Sequence, residues 1–218
     1  TLTEMIFCHF WFLFRALFVG KRRRRILTEQ IKTKFLKIIN KDDESSAQDN
    51  NVVITHSCRT IFYCIIKSLL DATHTNNGEE KRIKICGASI QFGSFYRLLR
   101  SIELAEKCKI EHYEIDVSLT DFTLNTASID EEEVSQCDLI LCMHLFGVPF
   151  EQNVLFELGR KYDIPILEDC VQSGSLFGTY KGHKLADASI WSCGLDKTPS
   201  CFGGGLGYFS NSKHGQRL

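Results

Sequence analysis

Hydrophobic and polar positions from residue 52 onward follow two alternating patterns. Short apolar runs such as Leu139–Met143 are typical of strands buried on both faces, whereas segments such as Ser57–Leu70 carry apolar residues at helical spacing. Strands that alternate with helices predict an α/β fold whose mostly parallel sheet is flanked by helices. We predict strands over 83–86, 110–115, 139–143, 164–167, 188–193 and 206–209, and helices over 57–70, 92–105 and 150–162.

The first 51 residues have a different pattern. Residues 5–20 are strongly apolar and aromatic, and five basic residues follow them at 21–25. Residues 41–51 are polar, charged and without period, which is typical of a linker or an exposed loop. We therefore predict an N-terminal apolar and basic segment with a polar linker over 1–51, and one folded domain over 52–218.

Two interpretations of residues 5–25 stay open. An amphipathic helix on a membrane surface would hold aromatic rings and a basic cluster at the lipid boundary. A helix packed in the core, with a solvated basic end, has the same pattern. A spanning helix is disfavoured because it needs about 20 apolar residues, and this segment is shorter and contains His9 and Arg15. A secretory signal is disfavoured because the basic residues follow the apolar run.

Composition narrows the class of protein. The chain has 218 residues, which is enough for one large domain or one and a part, and its 44% hydrophobic and 24% charged residues are typical of a soluble globular protein. A formal net charge of −1 gives no overall attraction to nucleic acid. The ten cysteines form no Cys-x-x-Cys pair, and no group of residues has metal-ligand spacing. Buried reduced thiols in a cytoplasmic protein are therefore the preferred interpretation.

Three polar residues lie at or after the ends of predicted strands. Asp169 follows the strand 164–167, Ser192 lies near the end of the strand 188–193, and Lys197 follows it. Ligands of such sheets bind at the carboxyl ends of the strands. A lysine that forms a Schiff base and a carboxylate that keeps the ring nitrogen protonated are what pyridoxal 5'-phosphate needs. The sequence predicts this cofactor, with Lys197 as the catalytic residue that also moves the substrate proton. The Ser192 hydroxyl is predicted to donate a hydrogen bond to the cofactor phosphate.

Two further segments extend the predicted cofactor site. Cys58 and Arg59 open a helix, where free backbone amides bind phosphate. Plain capping by Ser57 is the alternative interpretation of that segment. Gln172 comes three residues after Asp169, where its amide can contact the cofactor ring, although an ordinary loop glutamine is equally compatible with the sequence.

Five short motifs occur in a fixed order along the chain. They are SCRT at 57–60, HLFGVP at 144–149, IPILEDCVQ at 164–172, GTYKGHK at 178–184, and SCGLDK at 192–197 followed by GGG at 203–205. In this order and spacing they resemble the motifs of the DegT/StrS-type pyridoxal-phosphate sugar aminotransferases, which have the aspartate-aminotransferase fold. The resemblance extends from residue 57 to residue 211.

The resemblance implies a fold type I large domain, a homodimer, and an amino donor and a keto-sugar nucleotide as substrates in amino-sugar or polysaccharide biosynthesis. It implies that Lys197 is the Schiff-base lysine, Asp169 the partner of the ring nitrogen, Ser192 a phosphate ligand and Gln172 a ring contact. The retained lysine favours a transaminase over the family's dehydratase branch, in which histidine replaces it.

Two features depart from the family pattern. The family's ring-stacking aromatic falls on Ile90 in this chain, and a family proline falls on Cys86. Family members extend beyond the lysine into a smaller C-terminal domain, and we expect this chain to lack it, as a fragment or a truncated product. The alternative to an enzyme is therefore an inactive or truncated relative that keeps the fold for binding, assembly or membrane association.

Overall fold

The computed structural model describes residues 21–39, 51–73, 80–118, 120, 123–145, 151–173, 180, 182–195, 197, 200 and 203–218. The apolar segment 5–20 and most of the predicted linker, residues 41–50, lie outside these ranges. The two interpretations of the N-terminal segment therefore concern residues that are largely undescribed.

The described strands form one seven-stranded sheet. Its order is β1-β7-β6-β5-β4-β2-β3, and only β7 runs antiparallel to its neighbours. The strands are β1 (Val52–Thr55), β2 (Lys81–Ala88), β3 (Cys108–Ile115), β4 (Leu139–Met143), β5 (Ile166–Asp169), β6 (Ala188–Ser192) and β7 (Gly205–Phe209). The predicted α/β class with a mostly parallel sheet is confirmed.

Helices connect the parallel strands and cover both faces of the sheet. They are α1 (Lys21–Ile39), α2 (Cys58–Ala72), α3 (Phe95–Glu106), α4 (Glu131–Ser135), α5 (Asn153–Lys161) and α6 (Lys213–Arg217), with a 3-10 turn at Thr126–Ser128. None of the described helices has the length and apolar character that crossing a bilayer requires.

Two layers of side chains hold the helices on the sheet. On one face, α2 and α3 bury Ile65, Ile66 and Ile102 against the apolar residues of β2, β4, β5 and β6. On the other face, Leu155 and Phe156 of α5 pack on the alternate residues of β2, β4 and β5. A parallel sheet covered on both faces presents its strand ends as the ligand-binding edge.

All six predicted strands are present, but the sequence did not predict β1. Its four residues become a strand because they pair with β7, from Val52 beside Tyr208 to Thr55 beside Gly205. That pairing joins segments about 150 positions apart, so no local pattern contains it. The predicted strand 164–167 is displaced by two residues in the structure, where β5 ends on Asp169 itself.

Candidate active site

A cavity of about 480 Å³ opens at the carboxyl edge of the sheet. Its wall is formed by the first turn of α2, the ends of β4, β5 and β6, and the segment between β6 and β7. Five of the six predicted site residues line it: Cys58, Arg59, Asp169, Ser192 and Lys197. Residues that are up to 139 positions apart in sequence thus meet in one cavity because parallel strands end at one edge.

Gln172, the sixth predicted residue, has a different position. It lies half-buried in the turn after β5, and among the described residues the cavity wall contains Val171 in its place. The roles of all six residues toward a cofactor stay predictions.

Asp169 occupies the last position of β5, with its side chain toward the cavity. Its Oδ1 accepts a hydrogen bond from the Val171 amide at 2.8 Å. Burial raises the pKa of the Asp169 carboxyl to about 6, against the opposing effects of that hydrogen bond and of the nearby His144 and Lys197. A carboxylate in so poorly solvated a place is stabilised by a cationic partner.

Lys197 lies in the loop after β6. Its backbone amide donates to the Gly194 carbonyl at 3.1 Å, which forms a tight turn at the mouth of the cavity. Its Nζ lies 5.7 Å from the centroid of the Phe92 ring, within the range of a cation–π contact. The amine therefore stands in the same cavity as Asp169, with an aromatic face beside it.

The first turn of α2 forms another part of the wall. Ser57 is at the N-cap position, but its side chain makes no capping hydrogen bond. The alternative interpretation, in which the Ser57 side chain caps the helix, is therefore wrong. The first amides of a 15-residue helix, together with the Arg59 guanidinium, are a suitable donor set for a phosphate group.

Cys58 and Ser192 contribute smaller polar groups to the wall. Burial, followed by the charge of Asp169, raises the pKa of the Cys58 thiol far above its usual range, so the thiol stays protonated. The Ser192 hydroxyl oxygen accepts from the Gly194 amide at 3.2 Å. That arrangement leaves the hydroxyl a donor for an anion.

A buried carboxylate stands directly before Asp169 in β5. Glu168 accepts hydrogen bonds from Ser189 at 2.8 Å, from the His183 amide at 2.9 Å and from Tyr180, and it lies 2.8 Å from His144 Nε2. These contacts lower the pKa of Glu168 despite its burial. The network fixes the end of β5, and therefore the position of the neighbouring Asp169.

One group in this network has metal-ligand spacing that the sequence did not reveal. The ligand atoms of His144, Glu168 and Cys170 lie within 4.8 Å of one another. His144 is 24 positions from Glu168 in sequence, so only the pairing of β4 with β5 brings them together. Because hydrogen bonds already engage both Glu168 oxygens, we interpret the group as structural.

Sequence reasoning also missed several residues of the cavity wall. Ile90 is not among the described residues that line the cavity, whereas Phe92 is. The helical spacing of Phe92 and Phe95, and of Cys58 and Phe62, is the signal that could have found them. The missed residues include His56, Phe62, Phe92, Ser94, Phe95, Leu98, Met143, Val171 and Ile190.

Comparison with known proteins identifies the family. The sequence model of the DegT/DnrJ/EryC1/StrS aminotransferase family matches residues 100–216, which is more than half of the chain. The chain belongs to the DegT/DnrJ/EryC1/StrS aminotransferase family. This match confirms the family resemblance that the sequence motifs predicted.

One curated relative and two solved structures show the extent of the similarity. The chain is 27% identical over 94 residues to GDP-perosamine synthase of Escherichia coli O157:H7, covering 42% of the DegT-family chain and 26% of the relative. The aminotransferase TlmJ from Streptoalloteichus hindustanus has the same fold, with a TM-score of 0.65 and 16% identity over 87% of this chain and 47% of that one.

A second solved structure contains the cofactor. E. coli GDP-4-keto-6-deoxy-D-mannose-3-dehydratase with bound hydrated PLP aligns with a TM-score of 0.58 and 16% identity, over 87% of this chain and 45% of that one. At this identity the likeness shows the fold alone. The DegT-family chain spans about a quarter of the curated relative and less than half of these two structures.

Proposed function

We propose that the chain is the cofactor-binding part of a pyridoxal-phosphate-dependent aminotransferase that acts on an amino donor and a keto-sugar nucleotide. The observation that carries the proposal is the shared cavity of Lys197, Asp169 and the uncapped start of α2. An amine, a carboxylate and a phosphate-binding helix start are the groups that this cofactor requires. The sugar-nucleotide substrate is proposed because a relative is named for GDP-perosamine.

The residues present fit the cofactor. The phosphate would be held by the first amides of α2, by Arg59 and by the Ser192 hydroxyl. Asp169 would hold the protonated ring nitrogen, and the burial that raises its pKa supports this role, because a cationic partner would stabilise the poorly solvated carboxylate. Gln172 would contact the ring from the turn after β5. When bound, the cofactor supplies an electron sink for the substrate's amino carbon.

Lys197 has two tasks in this proposal. Its Nζ would attach the cofactor covalently as a Schiff base in the resting protein. When it is not attached to the cofactor, the same Nζ would act as general base and general acid, taking a proton from the substrate's amino carbon and giving it back. The turn closed by the Lys197 amide and the Gly194 carbonyl would keep the amine at the cavity mouth during both steps.

Phe92 would take the place of the stacking aromatic that the family pattern puts on Ile90. Phe92 lines the cavity, is 44% exposed, and has the Lys197 amine over its ring. An aromatic face on the open side of the cavity suits stacking on a heteroaromatic ring. This position removes one argument for an inactive relative, because Ile90 is not needed for stacking.

The proposed domain organisation follows from the described core. Residues 52–218 would form the cofactor-binding large domain, since strands β1 to β7 all lie in this range. A homodimer with shared sites is proposed from the family resemblance alone.

The visible absorbance of the protein mixed with pyridoxal phosphate tests the proposal. We expect a new band, fixed irreversibly onto Lys197 by borohydride, because only a lysine-bound cofactor is reduced to a stable amine. Lys197→Ala should lack the band. Lys184→Ala, which removes an exposed lysine outside the cavity, should keep it. A folded wild-type protein without a lysine-dependent band would favour the non-catalytic relative instead.

A further inference from the structure

His112 is a buried histidine on β3, the strand at one edge of the sheet. Its side chain is only 9% exposed, and its Nδ1 lies 3.1 Å from Glu114 Oε1. Its Nε2 is buried and has no hydrogen-bond partner among the described residues. A neutral imidazole carries a proton on one nitrogen and a lone pair on the other. We assign the proton of neutral His112 to Nδ1, because Glu114 is the acceptor there, and the lone pair to the buried Nε2.

Gln91, in the loop after β2, lies next to this imidazole. Its Nε2 donates to the Ala88 carbonyl at 2.6 Å, and its Oε1 is buried without a hydrogen-bond partner in the described part of the chain. A methyl group added at Gly87 would lie 3.2 Å from Gln91 Nε2 and 3.4 Å from His112 Nε2, so both side chains fold over this glycine. Buried polar atoms in folded proteins are almost always hydrogen-bonded. A proton on His112 Nε2 would supply the donor that these two acceptors lack.

Burial keeps His112 neutral at neutral pH. It lowers the pKa of the imidazole, and the hydrogen bond to Glu114 opposes this effect. The described titratable groups that face the ring are Glu114 on β3 and Tyr96 on α3, whose hydroxyl donates to Glu114 at 2.6 Å. The neighbouring strand β2 presents Ile85 and Gly87 in register with His112 and Glu114, and neither of them carries a charge. Acid is therefore needed to place a second proton on the ring.

His112 and Gln91 both hold the segment that forms the aromatic wall of the cavity. The Phe95 ring packs edge-to-face on His112, with ring centroids 5.6 Å apart, and Gln91 directly precedes Phe92. The Phe95 amide donates to the Phe92 carbonyl at 2.7 Å, which joins the two aromatic residues in one turn. Both aromatic residues line the cavity, and the Phe92 ring lies beside the Lys197 amine. A change at His112 thus reaches the cavity through one short turn.

We infer that His112 is a positioning residue: its neutral form holds residues 91–95 in place, and its protonation moves Phe92 and weakens cofactor binding. A proton on Nε2 would form a hydrogen bond with Gln91 Oε1 and draw the side-chain amide away from the Ala88 carbonyl. The cavity would then lose the fixed position of its aromatic wall at acid pH. The effect on the cofactor rests on the proposed function, whereas the movement of the segment does not.

Nuclear magnetic resonance of the full chain without cofactor tests the movement of the segment. We expect the His112 ring signal to titrate below the usual value of about 6.5, and the Phe92 amide signal to shift with the same midpoint. His112→Asn keeps an amide donor for Glu114 but does not titrate, so this shift should vanish. Gln91→Met keeps the size of the side chain but removes the acceptor, so His112 should titrate without moving the Phe92 amide.

Titration with pyridoxal phosphate at two pH values tests the effect on the cavity. Between about pH 7.5 and about pH 5, we expect the wild type to lose at least about threefold more affinity than His112→Asn, because only the wild type adds a proton at this position. The titrations of Asp169 and of the cofactor phosphate are common to both proteins and cancel in the comparison. His214→Gln replaces a buried histidine of α6 outside the cavity wall and keeps a donor for Asp163. This control should follow the wild type.

The two measurements separate a failure of the inference from a failure of the proposed function. A Phe92 amide that does not follow His112 in the wild type, or that follows it equally in Gln91→Met, overturns the inference. Equal pH dependence of cofactor affinity in the wild type and in His112→Asn also overturns it. Absence of cofactor binding at every pH contradicts the proposed function and with it the effect on the cofactor, while the amide titration still decides the positioning role.

Discussion

At the scale of single residues, the cavity buries the Asp169 carboxyl, and this burial disfavours its charged form. A carboxylate there is poorly solvated, and its one described hydrogen bond, from the Val171 amide, does not offset that loss. A ring nitrogen that carries a proton would replace the lost hydration with an ion pair. The burial of Asp169, which destabilises its carboxylate in the free protein, therefore favours binding of the proposed cofactor.

The free-energy cost of the buried Asp169 carboxylate is measurable in the cofactor-free protein. Its pKa of about 6 lies above the unfolded value, so the folded state binds more protons between those two values. Stability should therefore fall as pH rises through this interval. Asp169→Asn removes the titration, and we expect the wild type to lose about 2–3 kcal/mol relative to it between about pH 4 and about pH 7. Urea unfolding at several pH values checks this, and parallel curves would contradict it.

A second prediction concerns the aromatic wall. Phe92→Ala should weaken pyridoxal-phosphate binding about tenfold, because an aromatic stacking contact contributes about 0.5–1.5 kcal/mol beyond its buried area. Ile90→Ala is the matched control and should leave the affinity within about twofold, since Ile90 does not line the cavity. Fluorescence titration of both variants with the cofactor distinguishes them. Equal losses of cofactor affinity in the two variants, or a loss only in Ile90→Ala, would contradict the stacking role of Phe92 and favour position 90, which the family pattern indicates.

At the scale of elements, the site depends on the close approach of β7 to the first turn of α2. A methyl group at Gly205 would lie 2.4 Å from the Cys58 amide nitrogen and 2.6 Å from the Ser57 carbonyl carbon. Only glycine lets the strand pass so near the helix start. Gly205 thus serves the packing of β7 against the first turn of α2, whereas Gly203 and Gly204 line the cavity.

Gly205→Ala should therefore damage the fold and the site together. We expect a loss of about 1–3 kcal/mol in unfolding free energy, because the added methyl forces backbone apart. Cofactor affinity should fall as well, since the first turn of α2 must move. Gly93→Ala is the control, because nothing lies within 4 Å of its added methyl. Denaturant unfolding and cofactor titration would contradict the prediction if the two variants behaved alike.

The sequence predicted the elements whose pattern is local. The run Leu139–Met143 is a strand with the predicted bounds, since five consecutive buried residues are a signal that needs no partner. Helix α1 and strand β1 were not predicted. The pattern of α1 is dominated by charge, and its few buried residues, Phe35 and Leu36, are recognisable only beside Trp191.

The candidate site shows the same division. Lys197, Asp169 and Ser192 were found because each lies at the end of a predicted strand or soon after it, and parallel strand ends meet at one edge. The proximity of Phe92 to Lys197 could not be read from the sequence, because it depends on how the loop after β2 folds toward the loop after β6. Sequence pattern thus predicts which edge of the sheet carries the chemistry better than it predicts which loop side chains complete it.

At the scale of the whole molecule, the cavity joins distant parts of the chain. Its wall begins at His56 beside β1 and ends at Gly204 beside β7, with β4, β5 and β6 between them. Each pair of neighbouring strands must be formed before the wall is complete. A ligand that binds this cavity therefore binds the folded sheet and not a local segment.

Cofactor binding should accordingly stabilise the entire described sheet. At a concentration 100-fold above its dissociation constant, pyridoxal phosphate should add about 2.7 kcal/mol to the unfolding free energy, because it binds only the folded state. Hydrogen exchange should slow in α2 and β7 as well as in the loop of Lys197, since the first turn of α2 forms part of the wall and Gly203 and Gly204, directly before β7, form another part. Lys197→Ala should show a smaller gain and Lys184→Ala the full gain. Protection confined to the Lys197 loop, with no change in the thermal midpoint, would mean that the aldehyde reacts with an accessible lysine without using the cavity.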